Sequence, residues 1–495
     1  MARLLSLSLV LTLVGGAGCS CDSSNDDGDA SGARGGSGQS SGGSASGGNG
    51  GSAGSMGQFM GTGGATPACV NLECQQVHCE SGQTTTVSGT VYEPAGNVPL
   101  YNVAVYVPNS PVEPLTDGAS CTQCGGEVTG SPLVSAITDA SGHFVLSNVP
   151  VGDDIPLVVQ VGKWRRELTI PTVAECTDTP LVDGSVRLPR NQSEGHIPRI
   201  ALSTGGADPL ECWLPKIGID LAEFTNPDGN GRINLFAGSG GTVQYADGTA
   251  FPNSQAALWN DAGNLSVYDI VLLACEAGWN EATKGPAAIS AMNDYANMGG
   301  RIFASHWHNY WVENGLGMWP QVADFDHQAD LANPFDALVD TTFPKGQAFG
   351  EWLVNVGAST QPGVLTIKEA QHTINTVNPQ LSTQWIYSDN PVSVQYLSFN
   401  TPLEVAEDQR CGRLVLSDIH VSSGDQIGVP FPNGCQTTEL SPQEKALLFM
   451  LFDLSSCIIP DDEPPCAPGH AACGNAGDPP CNGTCQNGCC EEIAQ

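Results

Sequence analysis

Hydroxyl, imidazole and carboxyl side chains occur close together at two points in the second half of this chain. Ser305, His306 and His308 form one group, and Asp418 and His420 form the other. A serine becomes a nucleophile when an imidazole takes its proton and a carboxylate orients that imidazole. These residue types therefore allow a hydrolase in which Ser305 attacks the substrate. Its base would be His306 or His420, with Asp418 nearby.

The same region could instead bind a metal ion. If the strand that contains them runs to His308, the side chains of His306 and His308 share one face, because side chains alternate along a strand. Asp208 or Glu276 could complete such a site, since zinc needs a third protein ligand and an open position for water. No H-E-x-x-H or comparable motif is present. We therefore favour ordinary polar histidines at the rim of a crevice, and we expect no cofactor.

Three aromatic residues, Trp307, Tyr310 and Trp311, lie among and directly after these histidines. Aromatic faces stack on sugar rings and line the pockets of apolar ligands, so this group is a candidate binding surface. Packing in the core or in a loop is the alternative. The high average burial of aromatic side chains favours that alternative.

The segment that carries these residues alternates between strand and helix patterns. Its predicted elements are a strand in IPRIALSTGG, strands at 233–238 and 268–278, a helix at 286–298 that Gly299 and Gly300 end, and a strand in GRIFASHW. Strands and helices at this spacing predict a parallel sheet that is covered on both faces. Ligands bind at the carboxyl ends of such strands, where Asp208, Glu276 and residues 305–308 would meet.

The preceding part of the chain, residues 84–189, has a different pattern. Its short apolar stretches alternate with polar residues and are separated by turns, including one from Asp139 to Gly142. Such alternation is typical of antiparallel strands and predicts a small β-sandwich. The predicted fold class is therefore multidomain, with an antiparallel β-sandwich followed by a three-layer α/β domain.

Two stretches of residues 84–189 resemble a known family. The sequences SGTVYEPAGNVPLYNVAVYVPN and AITDASGHFVLSNVPVG are similar to the carboxypeptidase regulatory-like, transthyretin-like domain. The resemblance implies a β-sandwich without catalytic residues, and the grouping of that family with starch-binding-like folds implies contact with carbohydrate. An insertion with Cys121 and Cys124 departs from the compact pattern of the family. These two cysteines predict a structural disulfide or a loop staple, and a redox pair is the alternative.

Residues 197–459 resemble the class I glutamine-amidotransferase-like domains, in particular the trehalose-utilisation-protein branch. The resemblance depends on YDIVLLACEAG and YANMGGRIFASHWHNYW and implies a flavodoxin-like α/β architecture. Amidotransferases of this class need a cysteine in a G-x-C-x-G turn, and the corresponding stretch here reads A-S-H-W-H. Cys275 lies one strand and helix too early for that turn. We predict that it is disulfide-bonded or a buried thiol.

The amino-terminal end has the pattern of an exported lipoprotein. Arg3, an apolar run at 4–14 and small residues before Cys19 resemble a lipoprotein signal, which implies that residues 1–19 carry the signal and that Cys19 receives lipid. Gly16 stands where the family usually has Leu, so a plain signal peptide is the alternative. Residues 20–67 are rich in Gly and Ser and predict a disordered linker, and residues 68–83 form a cysteine-containing connector.

Cysteine content and charge limit the class of function. Nineteen cysteines in an exported chain predict disulfides, six of them in a cysteine-rich tail at 460–495. A formal charge of −35 argues against nucleic acid as a partner.

The function that these patterns favour is a non-catalytic cell-envelope lipoprotein, anchored to a membrane by its lipid and facing the periplasm or the cell exterior. It would act as a binding module for carbohydrate or for an envelope protein. A divergent hydrolase that uses the Ser305 and His306 crevice is the alternative.

Overall fold

The computed structural model describes residues 69–122, 124, 128–421, 424–473, 481, 484–486 and 488–491. They all belong to one compact unit, which spans 67–495. The predicted signal peptide, lipid site Cys19 and linker lie outside the described residues. The connector forms two short 3-10 helices, Asn71–Gln75 and Glu80–Gly82.

Residues 86–180 form two small sheets. Their strands are β1 (Thr86–Thr90), β2 (Ala104–Pro108), β3 (Pro132–Ile137), β4 (His143–Ser147), β5 (Gly152–Val161), β6 (Trp164–Val173) and β7 (Asp178–Pro180). One sheet has the order β4-β1-β7 and the other β3-β2-β5-β6, and only the β1–β7 pair is parallel. The two sheets contribute Val87, Leu146, Val105 and Val159 to the same core. The predicted turn is present, because Asp139 Oδ1 accepts from the backbone N–H of His143 at 3.0 Å.

The rest of the chain is built around a sheet of ten strands. The strands of this part of the chain are β8 (Ile200–Ser203), β9 (Phe224–Thr225), β10 (Ile233–Phe236), β11 (Ile270–Leu273), β12 (Arg301–Ser305), β13 (Ala323–Phe325), β14 (Phe335–Val339), β15 (Val364–Ile367), β16 (Ile374–Val377), β17 (Thr383–Asp389), β18 (Val392–Thr401) and β19 (Gly412–Ser417). The strand order is β15-β14-β17-β18-β19-β12-β11-β8-β10-β9, and β13 pairs separately with β16.

The predicted parallel sheet is present only in part. Six strands, from β9 to β19 in the sheet order, run parallel. The remaining four, β18, β17, β14 and β15, add to the edge in antiparallel orientation. For β17 and β18 the reason is their connection through Asn390 and Pro391 alone, since a link of this length can only form a hairpin.

Helices cover both faces of the large sheet. The α-helices are α1 (Trp213–Lys216), α2 (Ala262–Ser266), α3 (Pro286–Asn297), α4 (Tyr310–Glu313), α5 (Pro344–Asn355) and α6 (Pro442–Ser455). Along β11, Ile270 and Leu272 pack in the core that includes α5 and α6, whereas Val271 and Leu273 pack in the core that includes α3. Gly299, at a φ of 111°, follows α3 at the predicted stop.

The small sheets pack against the large sheet through α6. Tyr101 stacks on Phe449 with 5.6 Å between ring centroids, and Trp164 makes an edge contact with Phe452 at the same distance. Lys163 forms an ion pair with Asp269 at 2.6 Å. One hydrophobic core therefore continues from the β-sandwich into the α/β part.

Eight disulfides join all the described cysteines except Cys275. Their pairs are Cys69–Cys74, Cys79–Cys176, Cys121–Cys411, Cys124–Cys457, Cys212–Cys435, Cys466–Cys489, Cys473–Cys485 and Cys481–Cys490. The six tail cysteines pair among themselves, beside a hairpin of β20 (Thr484–Gln486) and β21 (Cys489–Glu491). Cys121 and Cys124 each pair with a cysteine of the α/β part, as structural disulfides. Such a set of bonds is typical of an oxidising, extracytoplasmic compartment.

Among the described helices, none has the length and apolar character that crossing a bilayer requires.

Candidate functional site

The predicted site residues follow the carboxyl ends of four neighbouring parallel strands. Asp208 comes after β8, Glu276 after β11, His306 directly after β12, and His420 after β19. These strands are adjacent in the order β19-β12-β11-β8, so their ends lie at one edge of the sheet. The predicted meeting of polar side chains depends on this alignment of the carboxyl ends of parallel strands.

Cys275, His306 and His420 form the centre of this edge, and we call them the Cys-His cluster. One ligating atom of each lies within 4.8 Å of the other two. The Sγ atom of Cys275 is 3.5 Å from Nδ1 of His306, and the rings of His306 and His420 are 5.2 Å apart. Cys275 is fully buried and His306 is 4% exposed. Cys275 was not predicted to lie with the histidines, because only the order of the strands in the sheet brings them together.

Burial keeps this pair of side chains neutral. It raises the pKa of Cys275 to about 12, although backbone hydrogen bonds at Trp307 and Ala277 act in the opposite direction. Burial also lowers the pKa of His306 to about 3. A nucleophilic cysteine requires a thiolate, usually beside a charged imidazole. The pair is thus a thiol and a neutral imidazole at neutral pH and lacks the charge distribution of a cysteine hydrolase.

The turn after β12 is sharp, and His306 occupies its strained position. His306 has a φ of 37°, in the left-handed region that a residue with a Cβ rarely adopts. The chain then forms a 3-10 helix, His306–Asn309. No glycine flanks His306 in the sequence, so this turn places the strain on a residue with a side chain. An imidazole therefore stands where a nucleophile elbow would carry its nucleophile.

Ser305 is placed differently from a catalytic serine. Its hydroxyl is fully buried and donates to Oδ2 of Asp208 at 2.8 Å. The other oxygen of Asp208 accepts from the backbone N–H of Val421 at 3.1 Å. Asp208 therefore connects the ends of β8, β12 and β19. In this arrangement the Ser305 hydroxyl donates to a carboxylate, whereas the base of a serine triad is an imidazole.

Asp418 and His420 do not form an orienting pair. Asp418 accepts from the backbone N–H and from the hydroxyl of Thr373, both at 2.7 Å. Burial raises the pKa of Asp418 to about 6. The Nε2 atom of His420 is buried without a hydrogen-bond partner among the described residues. The structure thus brings His420 to His306 and Cys275, and holds the Asp418 carboxylate at Thr373.

Glu276 is held by a buried lysine. Its Oε2 atom forms an ion pair with Nζ of Lys284, which also donates to the carbonyl of Trp279 at 2.6 Å. The other oxygen of Glu276 accepts from the backbone N–H of Ser239 at 2.8 Å. Burial lowers the pKa of Lys284. Glu276 therefore fixes the loop that carries Trp279, and its charge is already balanced.

His308 does not share a face with His306. Both residues lie in the 3-10 helix, because β12 ends at Ser305, so the alternation of a strand does not apply to them. Nε2 of His308 lies 3.0 Å from the carbonyl of Ala274, and Nδ1 accepts from the indole of Trp311 at 2.9 Å. With both nitrogens engaged and the ring fully buried, His308 has no lone pair for a metal. The condition for the alternative metal pair of His306 and His308, a strand that runs to His308, is therefore not met.

Four aromatic rings, which we call the aromatic cluster, contact one another beside the Cys-His cluster: Trp279, Trp307, Tyr310 and His327. Trp307 stacks on His327 at 5.6 Å, and Trp279 makes edge contacts with Tyr310 at 5.6 Å and with His327 at 5.1 Å. His306 contacts the Trp307 ring at 4.7 Å. Trp307 and Tyr310 are half-buried.

The third predicted aromatic, Trp311, belongs to the core at 1% exposure. Trp279 and His327 were not predicted from the sequence. Trp279 could have been predicted at this edge, because it follows Glu276, Ala277 and Gly278 in the loop after β11.

A cavity of about 200 Å³ lies at the opposite edge of the sheet. It is lined by the starts of β11 and β12, by the Lys163 and Asp269 ion pair, and by residues of the 114–129 loop. This cavity is distant in the fold from the polar residues that follow the strands. It is the junction between the small sheets and the large sheet.

No known family profile matches the sequence, and no curated protein matches it. Among solved structures, a putative ThuA-like protein from Bacteroides uniformis is 10% identical, covers 51% of this chain and 90% of its own, and has a TM-score of 0.29. A cohesin–X-dockerin complex from Acetivibrio cellulolyticus is 18% identical, with coverage of 29% and 75% and a TM-score of 0.15. These likenesses are too weak to assign a function.

Proposed function

We propose that this protein is an exported, non-catalytic binding protein of the cell envelope, and that it binds carbohydrate at the aromatic cluster. The observation that supports this proposal most directly is the half-exposed set of rings at the carboxyl edge of the sheet. Sugar rings present C–H faces that stack on aromatic faces, and ligands of open α/β sheets bind at this edge. The stacked pair of Trp307 and His327 and the half-buried ring of Tyr310 are the aromatic surfaces proposed to contact the sugar.

The neighbouring polar groups favour binding over hydrolysis. Ser305 donates to Asp208, Asp418 accepts from Thr373, and Glu276 is paired with Lys284. Catalysis of the serine type needs a nucleophile, base and orienting group in contact with one another. The same groups here are each engaged with other partners, so they serve to hold the loops that carry the rings.

The proposal also assigns a fold family to the β-sandwich and to the α/β part. The order β10-β8-β11-β12-β19 corresponds to the 2-1-3-4-5 order of flavodoxin-like sheets. This correspondence supports an amidotransferase-like α/β domain at 197–459, after a carboxypeptidase regulatory-like sandwich at 84–189.

We also propose that Cys19 carries the lipid and that 20–67 is the flexible link to the membrane. Metabolic labelling with a fatty acid is expected to mark the wild type and to leave Cys19→Ser unmarked. Equal labelling of both would refute the anchor.

The carbohydrate proposal is tested by calorimetric titration with soluble gluco-, xylo- and chito-oligosaccharides. Trp307→Ala and Tyr310→Ala are expected to weaken the Kd about tenfold, which corresponds to about 1.4 kcal/mol. Tyr387→Ala is the matched control, because Tyr387 is a half-buried tyrosine in β17, outside the aromatic cluster. Wild-type affinity in both cluster variants, or no binding to any oligosaccharide, would reject this ligand.

The hydrolase alternative has its own test. A panel of ester, amide and glycoside substrates is expected to show no turnover that depends on Ser305. Turnover that disappears in Ser305→Ala would replace the binding proposal with a hydrolase.

A further inference from the structure

Beyond the carbohydrate proposal, we propose that Cys275, His306 and His420 bind one transition-metal ion of borderline or soft character, zinc or copper. The first argument is geometry. One ligating atom of each side chain lies within 4.8 Å of the other two, so small rotations of the side chains would allow all three to contact a single ion. Metal–sulfur and metal–nitrogen bonds are about 2.0–2.3 Å long, which requires this degree of convergence.

The second argument is that Cys275 and His420 each have an atom free to bind a metal. Cys275 is the one described cysteine that forms no disulfide, in a chain where the other sixteen described cysteines are paired. Nε2 of His420 is buried without a hydrogen-bond partner among the described residues, which is costly for a polar atom. A metal ion would use the lone pairs of both atoms.

The third argument is the backbone of His306. Its φ of 37° is strained for any residue with a Cβ, and glycine would remove the strain. Strain of this kind persists where the surrounding structure holds the residue for a purpose. Here the conformation directs Nδ1 of the ring to within 3.5 Å of the Cys275 sulfur.

The surroundings also favour a cation. Asp208 and Asp418 are fully buried, and Asp208 is hydrogen-bonded to Ser305 and Val421, which adjoin His306 and His420 in the chain. A positive ion at the Cys-His cluster would be attracted by the same carboxylates. The aromatic ring of Trp307, which contacts His306, would cover the ion on one side.

The donor set selects the class of metal. One sulfur and two imidazole nitrogens suit zinc and copper, whereas magnesium and calcium prefer oxygen ligands. Zinc with three protein ligands keeps a fourth position open, and two histidines with one cysteine are the equatorial set of many copper sites. A site with an open position beneath the aromatic cluster would bring the ion close to the proposed ligand surface.

The test uses the full mature chain after removal of metal with a chelator. Zn²⁺ and Cu⁺ are titrated separately in competition with chelators of known affinity, and bound metal is counted by mass spectrometry. Co²⁺ is then added as a spectroscopic probe, because a thiolate ligand gives a charge-transfer band in the near ultraviolet. We expect one ion per chain and a cobalt–thiolate band.

Two variants and one control decide the result. Cys275→Ser is expected to abolish the charge-transfer band, and Cys275→Ser and His420→Ala are each expected to weaken metal binding at least a hundredfold. His143→Ala is the control, since His143 is exposed in the hairpin of the β-sandwich. Circular dichroism of each variant checks that the fold is retained.

Absence of stoichiometric binding to the wild type, or equal binding by wild type and Cys275→Ser, would refute the metal site. Oligosaccharide titration of the metal-free protein distinguishes this failure from failure of the carbohydrate proposal. If metal binding fails and Trp307→Ala still loses the sugar, only the metal site is rejected.

Discussion

At the scale of single residues, the protonation of a buried acidic side chain is expected to make the stability of the protein depend on pH. Glu211, beside the end of β8, has a buried Oε2 atom without a hydrogen-bond partner among the described residues. Burial raises its pKa from 4.5 to about 7, and the charges of Asp208 and Asp425 add to the rise. The folded state therefore binds this proton more tightly than the unfolded chain does.

This proton linkage predicts the sign of the pH dependence. Since the folded pKa of Glu211 is raised, its contribution is fully present below pH 4.5 and is lost as the pH rises to about 7. Glu211→Gln is expected to flatten the loss of stability between pH 5 and 8, as measured by denaturant midpoints. Glu194→Gln is a control with the opposite sign. Hydrogen bonds with Arg187 lower the pKa of Glu194 to about 2, so its contribution to stability is lost as the pH falls. An unchanged pH profile in Glu211→Gln would contradict the raised pKa.

The sequence identified most residues at the edge but not their contacts. Ser305 and His306 were predicted to lie at a strand end, since apolar runs fix where strands stop. Their partners depend on which strands are neighbours, and one sequence does not contain that order. Cys275 was therefore read alone, and His308 was paired with His306 on the assumption that β12 continued. The strand ends at Ser305, the chain turns at the strained φ of His306, and the two imidazoles contact different partners.

At the scale of elements, helix α6 begins with a complete capping box. The hydroxyl of Ser441 accepts from the backbone N–H of Glu444 at 3.2 Å, and the Glu444 carboxylate accepts from the backbone N–H of Ser441 at 2.7 Å. Glu444 also forms an ion pair with Lys216 at 2.8 Å. This helix packs on both the large sheet and the small sheets, so its first turn supports the whole core.

Loss of the cap is expected to destabilise the protein modestly. Ser441→Ala removes the acceptor for the Glu444 backbone N–H and should reduce the free energy of unfolding by about 1 kcal/mol. Ser441→Asn retains a capping oxygen and is expected to behave like the wild type. Chemical denaturation of the three proteins at one pH measures the difference. Equal midpoints for Ser441→Ala and Ser441→Asn would show that the cap contributes nothing.

Elements were predicted better than their orientation. The strand in YDIVLLACEAG, helix α3 and the stop at Gly299 agree with the structure, because a long apolar run and a regular helical period are strong local signals. The antiparallel strands between 335 and 401 were not predicted. Their apolar residues alternate less regularly, and the Asn390-Pro391 turn that joins β17 and β18 was not recognised as a hairpin signal.

At the scale of the whole molecule, two disulfides fasten a loop of the sandwich to the α/β part. Cys121–Cys411 spans a sequence separation of 290 and Cys124–Cys457 one of 333. Disulfides that close long segments restrict the unfolded chain most strongly. The two bonds add to the contacts of α6 with Tyr101 and Trp164.

Removal of both bonds is expected to be costly. Replacing Cys121, Cys124, Cys411 and Cys457 by serine should lower the free energy of unfolding on the order of 5 kcal/mol in the chain-entropy account. The control replaces Cys466 and Cys489, which are separated by 23 residues, and should have a smaller effect on the main transition. Thermal melting of non-reduced proteins makes the comparison. A four-serine variant as stable as the wild type would contradict this role.

The long-range disulfides also constrain how the chain acquires its native form. An exported chain emerges with its amino end first, so Cys121 and Cys124 meet each other long before Cys411 or Cys457 arrives. Two cysteines with only two residues between them can form a disulfide with each other first. The native pairs then require thiol–disulfide exchange. Refolding of the reduced protein is expected to give a higher yield of Cys121–Cys411 when a disulfide isomerase is present. A secretion host without such an isomerase should export the chain at full length and yet deliver little of it correctly cross-linked.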